Sequence, residues 1–504
     1  MADMTREQER NELHRAIWAM ADELRGSIGG WEFKSYVLGT MFYRYISENL
    51  TNYINAVEIE EEARDGLIEE KGFFMLPSEL FCNVRARAAQ DENLNETLEK
   101  VFRHIEDSSR GHESEKCFVG LFDDFDVNSN QLGATVTRRN ERLVKLLNGI
   151  GELNLGDIND HNNDTFGDAY EYLMTMYAAN AGKSGGEFYT PSEVSELLTR
   201  LGTVGKTKVN KVYDPACGSG SLLLKAKKIL GDEGVTVGYF GQEINLTSYN
   251  LCRINMFLHG VEFDKFDIAC EDTLTNPQHW DDEPFELICT NPPYSIKWAG
   301  DDNPLRINDP RFSPAGVLAP KSKADMAFIM HCLSWLAANG TAAIVCFPGI
   351  MYRGGAEKKI RQYLIDNGYV DCVIQLPDNL FFGTTIATNI LILRRGKQDS
   401  TTLFIDASKE CVKVTNSNKL TQDNIEHIVQ LFTERKEVPH VAHLAAYEEI
   451  VEQDYNLSVS TYVEAEDTRE KVDIVKLNAE IEEIVAREDV LRSEIRKIIA
   501  EIEG

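Results

Sequence analysis

A chain of 504 residues with a formal charge of −30 has room for two or three domains. As a whole it repels a polyanion. Proteins that grip DNA unaided are usually basic, because phosphate neutralisation supplies most of the affinity. Either nucleic acid is not the substrate, or another subunit supplies the grip. No apolar run approaches the roughly 20 residues that cross a bilayer, and the charged start MADMTREQER lacks an apolar signal core. A cytoplasmic protein without membrane contact is expected.

Residues 1–160 read as an all-α N-terminal domain. From Thr5 to Arg25, Leu13, Ile17, Met20 and Leu24 recur at helix spacing. Gly29 and Gly30 break the pattern, which resumes from Phe33 to Val57 around YVLGTMFYRYI. The acidic run EIEEEARDGLIEEKG reads as a solvated face and loop. The Gly-, Asn- and Asp-rich NGIGELNLGDINDHNND marks a domain junction.

Residues 161–410 form the expected catalytic domain, in which short apolar runs alternate with helix-length stretches. KVYDPA, TVGYFGQEI, FDIAC, FELICTN, TAAIVCF, DCVIQLP and TNILILRR read as strands. SLLLKAKKIL, LTSYNLCRINMFLHG and DMAFIMHCLSWLAANG read as helices between them. Such alternation predicts a mostly parallel α/β sheet with helices on both faces. Ligands bind such sheets at the carboxyl ends of the strands.

Residues 411–504 form a C-terminal region that ends in a long charged helix from Val472 to Glu503. Ile474, Leu477, Ile481, Ile484, Leu491, Ile495, Ile498 and Ile502 fall on the two apolar positions of a heptad, and Glu488 is the one break. Roughly four heptads predict a seam for a partner helix; packing on its own domain is the alternative. Ten cysteines lie singly with no C-x-x-C pair, so neither a metal site nor a disulfide framework is expected.

The chemistry begins at VYDPACGSGSLLL, where an acid ends a strand, a glycine turn follows and a helix starts. Gly218 and Gly220 allow a sharp turn and close approach to a ligand. Asp214 suits a cationic group such as an ammonium. Glu243 ends the next strand and can accept both hydroxyls of a ribose. Asp272, after the third strand, can accept from an adenine amino group; a solvated acid is the alternative for both. An adenosyl group with a charged amino-acid tail describes S-adenosylmethionine. In AGKSGGEFYTP, GKS resembles the end of a phosphate loop, but Tyr177 stands where that motif needs glycine, so ATP binding is rejected. Glu187, Phe188, Tyr189, Thr190 and Pro191 are instead a candidate wall of the cofactor pocket.

LICTNPPYSIKW holds the acceptor corner. The Asn291 side chain and the Pro292 backbone each offer a carbonyl, and Pro293 restrains the chain beside them. Two fixed acceptors suit an exocyclic amine held by both its N–H groups. Tyr294 offers a face on which a base can stack. A second aromatic wall is expected from Phe382, or alternatively Phe381; a core role competes for both. A base must leave the duplex to reach such a corner. The aperiodic stretch that follows, with Lys297, Arg306, Arg311, Lys321 and Lys323, is expected to border DNA and to order on binding it.

GEFYTP, DPACGSG and NPPY, in that order, resemble the amino-methyltransferases of DNA. The N-terminal AIWAMADELRGSIGGWEFKSYVLGTMFYRYIS resembles more narrowly the modification subunit of type I restriction-modification systems. The resemblance implies a Rossmann-like, S-adenosylmethionine-dependent methyltransferase fold with a mixed sheet, and N6-adenine methylation. It adds Ser192, and Ser219 and Ser221 of the glycine turn, to the cofactor contacts. It implies a complex of two modification subunits with one specificity subunit, joined by restriction subunits, on double-stranded DNA with a flipped adenine. Reading of the DNA sequence then belongs to the specificity subunit, which accounts for the acidic charge of this chain. Methylation of cytosine N4 or of a protein glutamine amide, and a non-catalytic assembly role, are the competing readings.

Overall fold

Seven short apolar runs become the strands of one sheet: β1 (Val209–Asp214), β2 (Val235–Glu243), β3 (Phe266–Cys270), β4 (Phe285–Thr290), β5 (Leu336–Cys346), β6 (Val370–Gln375) and β7 (Asn389–Arg394). The computed structural model describes residues 11–19, 33–156, 165–180, 190–300, 304–381, 384–415, 417–466 and 474–504. Two further strands, β8 (Thr402–Asp406) and β11 (Ala442–Ala445), complete a sheet ordered β11-β8-β6-β7-β5-β4-β1-β2-β3. β9 (Val412–Val414) and β10 (Ser417–Lys419) make a separate hairpin. The sheet is mixed: β7 runs antiparallel to β5 and β6, and β11 to β8, while the other pairings are parallel. Strands such as β6 and β7 are buried along nearly their whole length, which explains why they read as unbroken apolar runs.

The N-terminal helices include α1 (Phe33–Tyr53), α2 (Leu94–Ser108) and α3 (Val136–Glu152). They share an aromatic core, with Phe102 stacked on Phe122 at 4.4 Å between ring centres. After α4 (Thr165–Asn180) come α5 (Ser192–Gly202), which leads into β1, and α6 (Ser221–Leu230), which joins β1 to β2. α7 (Leu246–Leu258) joins β2 to β3 and fastens the N-terminal helices to the sheet. Its Phe257 packs against Phe42 and Phe118, and its buried Arg253 donates to the carbonyls of Lys116 (3.1 Å) and Val119 (3.0 Å). The expected boundary near residue 160 therefore separates two helical and sheet regions that share one apolar interior.

α8 (Asp325–Trp335) is shorter than the stretch to Gly340 that the sequence suggests. Leu336 pairs with Phe285 and opens β5 instead. Periodicity cannot separate helix from strand in so short an apolar run; the available edge of β4 decides it. α9 (Ala356–Asp366) then leads to β6.

The region expected to begin at 411 is divided. α10 (Gln422–Glu434), capped by the Thr421 hydroxyl, and β11 pack on the sheet, so the chain through Val463 belongs to the catalytic unit. Glu464–Gly504 form a second unit, which holds α11 (Ile474–Glu503). None of the cysteines is disulfide-bonded, and most of them are buried.

Described residues of the aperiodic stretch after NPPY pack on the protein itself. Phe312 and Trp298 are buried in a T-shaped contact, and Arg311 is 1% exposed, donating to the carbonyls of Thr273 and Leu274. Arg306 also donates to Leu274. Two of the expected DNA-facing cations are thus committed to the protein's own backbone, and Lys297 and Lys321 are exposed.

Candidate active site

β1 delivers Asp214 to the carboxyl edge of the sheet and buries it almost completely. One carboxylate oxygen, Oδ1, accepts the Ala216 N–H at 3.0 Å; the other, Oδ2, is buried without a hydrogen-bond partner. Burial pushes the Asp214 carboxyl up to about 7. The nearby Thr290 hydroxyl and the Ala216 N–H favour the ionised form and offset only part of this shift, to which the charge of Glu243 adds. Thr290, at the end of β4, is buried near this carboxylate, but neither its hydroxyl nor Oδ2 makes a hydrogen bond of good geometry among the described residues.

The glycine turn is built as the sequence requires. Gly218 and Gly220 adopt φ of +53° and +81°, in the left-handed region that favours glycine. A Cβ on Gly220 would stand 2.8 Å from the Cys252 sulfur. Asn255 holds the turn by donating to the Ser219 carbonyl at 2.7 Å, and the Ser219 and Ser221 hydroxyls lie 3.3 Å apart. Cys217 packs on Gly241, where a Cβ would meet its sulfur at 2.9 Å, so the small thiol fits the turn.

Glu243 closes the turn from β2. Its Oε2 accepts the Gly218 N–H at 3.0 Å and its Oε1 accepts the Asn245 N–H at 2.8 Å. Burial pushes its carboxyl up, while the Asn245, Gly218 and Ile244 N–H groups oppose that shift. Asp272 folds its own turn: Oδ1 accepts the Leu274 N–H and Oδ2 the Thr275 hydroxyl, at 2.9 and 2.7 Å. Arg311 and Arg306 brace the same turn from the outside through the Thr273 and Leu274 carbonyls.

At the end of β4 the Asn291 amide is fixed from both sides. Its Nδ2 donates to the Thr190 hydroxyl at 3.1 Å, and its Oδ1 accepts the Tyr294 hydroxyl at 2.5 Å. A carbonyl oxygen has two lone pairs, so one remains for another donor. Pro292 is buried and Pro293 exposed. The Tyr294 ring is half-buried, 6.5 Å from Phe347 at the end of β5, and burial pushes its phenol up. Ser295 takes a positive φ of 52°, and its N–H donates to Asp325 Oδ2 at 3.0 Å.

Direct contacts join some of the expected site residues to each other or to their neighbours. Thr190 meets Asn291, Gly218 meets Glu243, and Ser192 accepts from Lys225 of α6 at 2.7 Å. Pro191 is buried at the start of α5. Glu187, Phe188, Tyr189 and Phe382 lie outside the described residues. Phe381, the alternative second wall, is buried in the main core and cannot offer a free face.

Three residues escaped the sequence reading. Asp325 anchors the acceptor corner, and its Oδ1 is buried without a partner. Ile244 is 70% exposed directly after Glu243, an apolar side chain beside the acid expected to hold the ribose. Lys225 is buried. An apolar residue following a strand-end acid was a legible signal for Ile244. Asp325 and Lys225 lie inside helix patterns and gave none.

An α/β sheet with this glycine turn and this acceptor corner is the frame of an S-adenosylmethionine-dependent amino-methyltransferase. Residues 161–471 match the model of the N-6 DNA Methylase family, and residues 13–150 that of the HsdM N-terminal domain. The type I restriction enzyme MpnII methylase subunit of Mycoplasma pneumoniae is 46% identical, over 99% of this chain and 97% of that protein. The MjaVII methylase subunit of Methanocaldococcus jannaschii is 32% identical over 72% of this chain and 62% of its own length. A crystal structure of a type I restriction-modification methyltransferase subunit from Streptococcus thermophilus superposes with a TM-score of 0.81 at 37% identity, covering 90% of this chain and all of that one. The chain belongs to the N-6 DNA methylase family, among its type I modification subunits, and is an adenine-specific DNA methyltransferase.

Proposed function

We propose that this chain is the methylating subunit of a type I restriction-modification complex, transferring a methyl group from S-adenosylmethionine to N6 of an adenine flipped out of double-stranded DNA. The carrying observation is the buried, unpartnered Oδ2 of Asp214, set beside the glycine turn and one strand from the Asn291 corner. An isolated buried carboxylate oxygen is costly unless a donor reaches it, and the cofactor's ammonium is such a donor. Glu243 would hold the ribose, with Ile244 against the adenine ring and Asp272 near its amino group. Thr190 to Ser192, with Glu187, Phe188 and Tyr189, would wall the methionyl end.

Bound there, S-adenosylmethionine supplies an electrophilic methyl on a sulfonium that is already a good leaving group. The chain's task is then positioning and charge stabilisation. Asn291 Oδ1 and the Pro292 carbonyl would accept the two N6 protons and aim the nitrogen lone pair. Thr190 fixes which way the Asn291 amide faces. Asp325 holds Ser295, and so fixes where the chain leaves the corner. Tyr294 would stack on the flipped base, with Phe382 as the second wall.

The seam of α11 supports docking on a partner helix. Ile474, Leu477, Ile481, Ile484, Leu491, Ile495, Ile498 and Ile502 are each exposed. We assign the specificity subunit to it, in a complex of two modification subunits to one specificity subunit, to which restriction subunits join. Such a complex works on chromosomal DNA, in the cytoplasm. Among the described residues no helix is long and apolar enough to cross a membrane.

Two results test the site. The Asp214 carboxyl rises from 3.8 to about 7 on folding, so the native state retains a proton that the unfolded chain has released. Its contribution to stability is present at low pH and is lost as the pH rises through 7. A bound ammonium reverses this preference. Cofactor affinity is therefore expected to rise about fivefold from pH 6 to 7, and by about a further twofold before it levels off near pH 8. Asp214→Asn should bind weakly and lose this dependence; calorimetric titration across that range reads it. An affinity that is flat with pH in the natural protein would contradict the assignment.

Tyr294→Ala is expected to weaken base capture by about 1–3 kcal/mol, read as a raised KM for DNA. Tyr294→Phe keeps the ring and should retain capture. Equal losses in the two variants would place the role in the hydroxyl and not in stacking.

A further inference from the structure

A lysine ammonium is rarely buried without a carboxylate beside it. Lys225, one turn into α6, is 7% exposed, and its one hydrogen bond among the described residues is to the neutral Ser192 hydroxyl, at 2.7 Å. Glu193, beside Ser192, feels its charge only as a secondary influence, and no ion pair joins the two. The ammonium carries three N–H groups, of which one is taken by a partner among the described residues.

Asp214 is the acid of the same region, with one buried carboxyl oxygen that makes no hydrogen bond of good geometry among the described residues. The two groups flank the glycine turn, Asp214 on the strand that enters it and Lys225 on the helix that leaves it. Ser192, which Lys225 touches, is two residues from Thr190, which touches Asn291. A buried acid and a buried base on either side of one turn, with no ion-pair partner among the described residues, are complementary to an α-amino-acid zwitterion. From this juxtaposition we propose that Lys225 binds the carboxylate of the cofactor's methionyl tail, with Ser192 orienting its ammonium. Asp214 takes the α-ammonium of the same tail. The proposal rests on the reading of the site as one for S-adenosylmethionine.

The test is calorimetric titration of the full chain with S-adenosylmethionine and with decarboxylated S-adenosylmethionine, which keeps the amine and sulfonium and lacks the carboxylate. The natural protein should prefer the first. Lys225→Met, close in size, should weaken S-adenosylmethionine by roughly 10- to 100-fold and leave the decarboxylated ligand unchanged. Lys225→Arg should restore part of the loss. The unliganded Lys225→Met protein should melt no lower than the natural one, since a buried unpaired charge is gone. Equal weakening of both ligands, or a lower melting point with loss of both, would make Lys225 a structural residue and overturn the proposal. A natural protein that binds neither ligand would instead overturn the cofactor reading, and the proposal with it.

Discussion

Asn291→Ala is expected to lower methyl transfer by about 100- to 1,000-fold or more, the range seen when one preorganised polar group of an active site is removed. The loss should fall on kcat, while affinity for S-adenosylmethionine stays within a few-fold. The reason lies in what the amide touches. Its Nδ2 is tied to Thr190 and its Oδ1 to the Tyr294 hydroxyl, so alanine removes both the acceptor and the device that aims it. The expected cofactor contacts, Asp214, Glu243 and the turn at Gly218 to Ser221, stand on β1, β2 and α6 and not on Asn291. Asn291→Asp keeps the shape and the acceptor but loses the donor to Thr190, so it should retain more activity than alanine. Single-turnover transfer and equilibrium cofactor binding together check this. Normal turnover by the alanine variant would place the acceptor elsewhere.

Removal of residues 474–504 is expected to abolish site-specific methylation in the assembled system while leaving cofactor binding intact. The separation follows from the architecture. The described candidate site residues all lie within Met1–Val463, and α11 belongs to the second unit. Its apolar seam is exposed throughout, with Ile481 at 50% and Ile495 at 56%, and a solvated seam of this kind gains its stability from a partner helix. Ile481→Asp with Ile495→Asp places charge in the seam without shortening the chain. It should give the same loss of co-purification with the specificity subunit. Retained assembly in both variants would move the docking surface onto the larger unit.

How much of this was legible in the sequence depends on whether the signal was local. DPACGSG and NPPY are contiguous, and their backbone demands can be read from residue types: left-handed glycines at 218 and 220, and a rigid proline corner after Asn291. The first seven strands announce themselves as apolar runs. β8 and β11 are only five and four residues long, and pairing with β6 and with each other makes them strands. Arg311 looked like a DNA-facing cation because nothing near it in sequence shows that the Thr273 and Leu274 carbonyls will receive it. Nothing in the helix pattern marks Lys225; its burial and its bond to Ser192 of α5 show only in the packed structure. Asp325 is legible only once Ser295, thirty residues earlier, is seen to need a partner for its N–H.

The most direct measurement is transfer of labelled methyl from S-adenosylmethionine to genomic DNA, by this chain alone and with its specificity subunit, with the product base identified by mass. The account predicts N6-methyladenine only when the partner is present. Transfer by the chain alone would contradict delegated recognition. A different methylated product, or none with the partner shown to be bound, would contradict the assigned reaction itself.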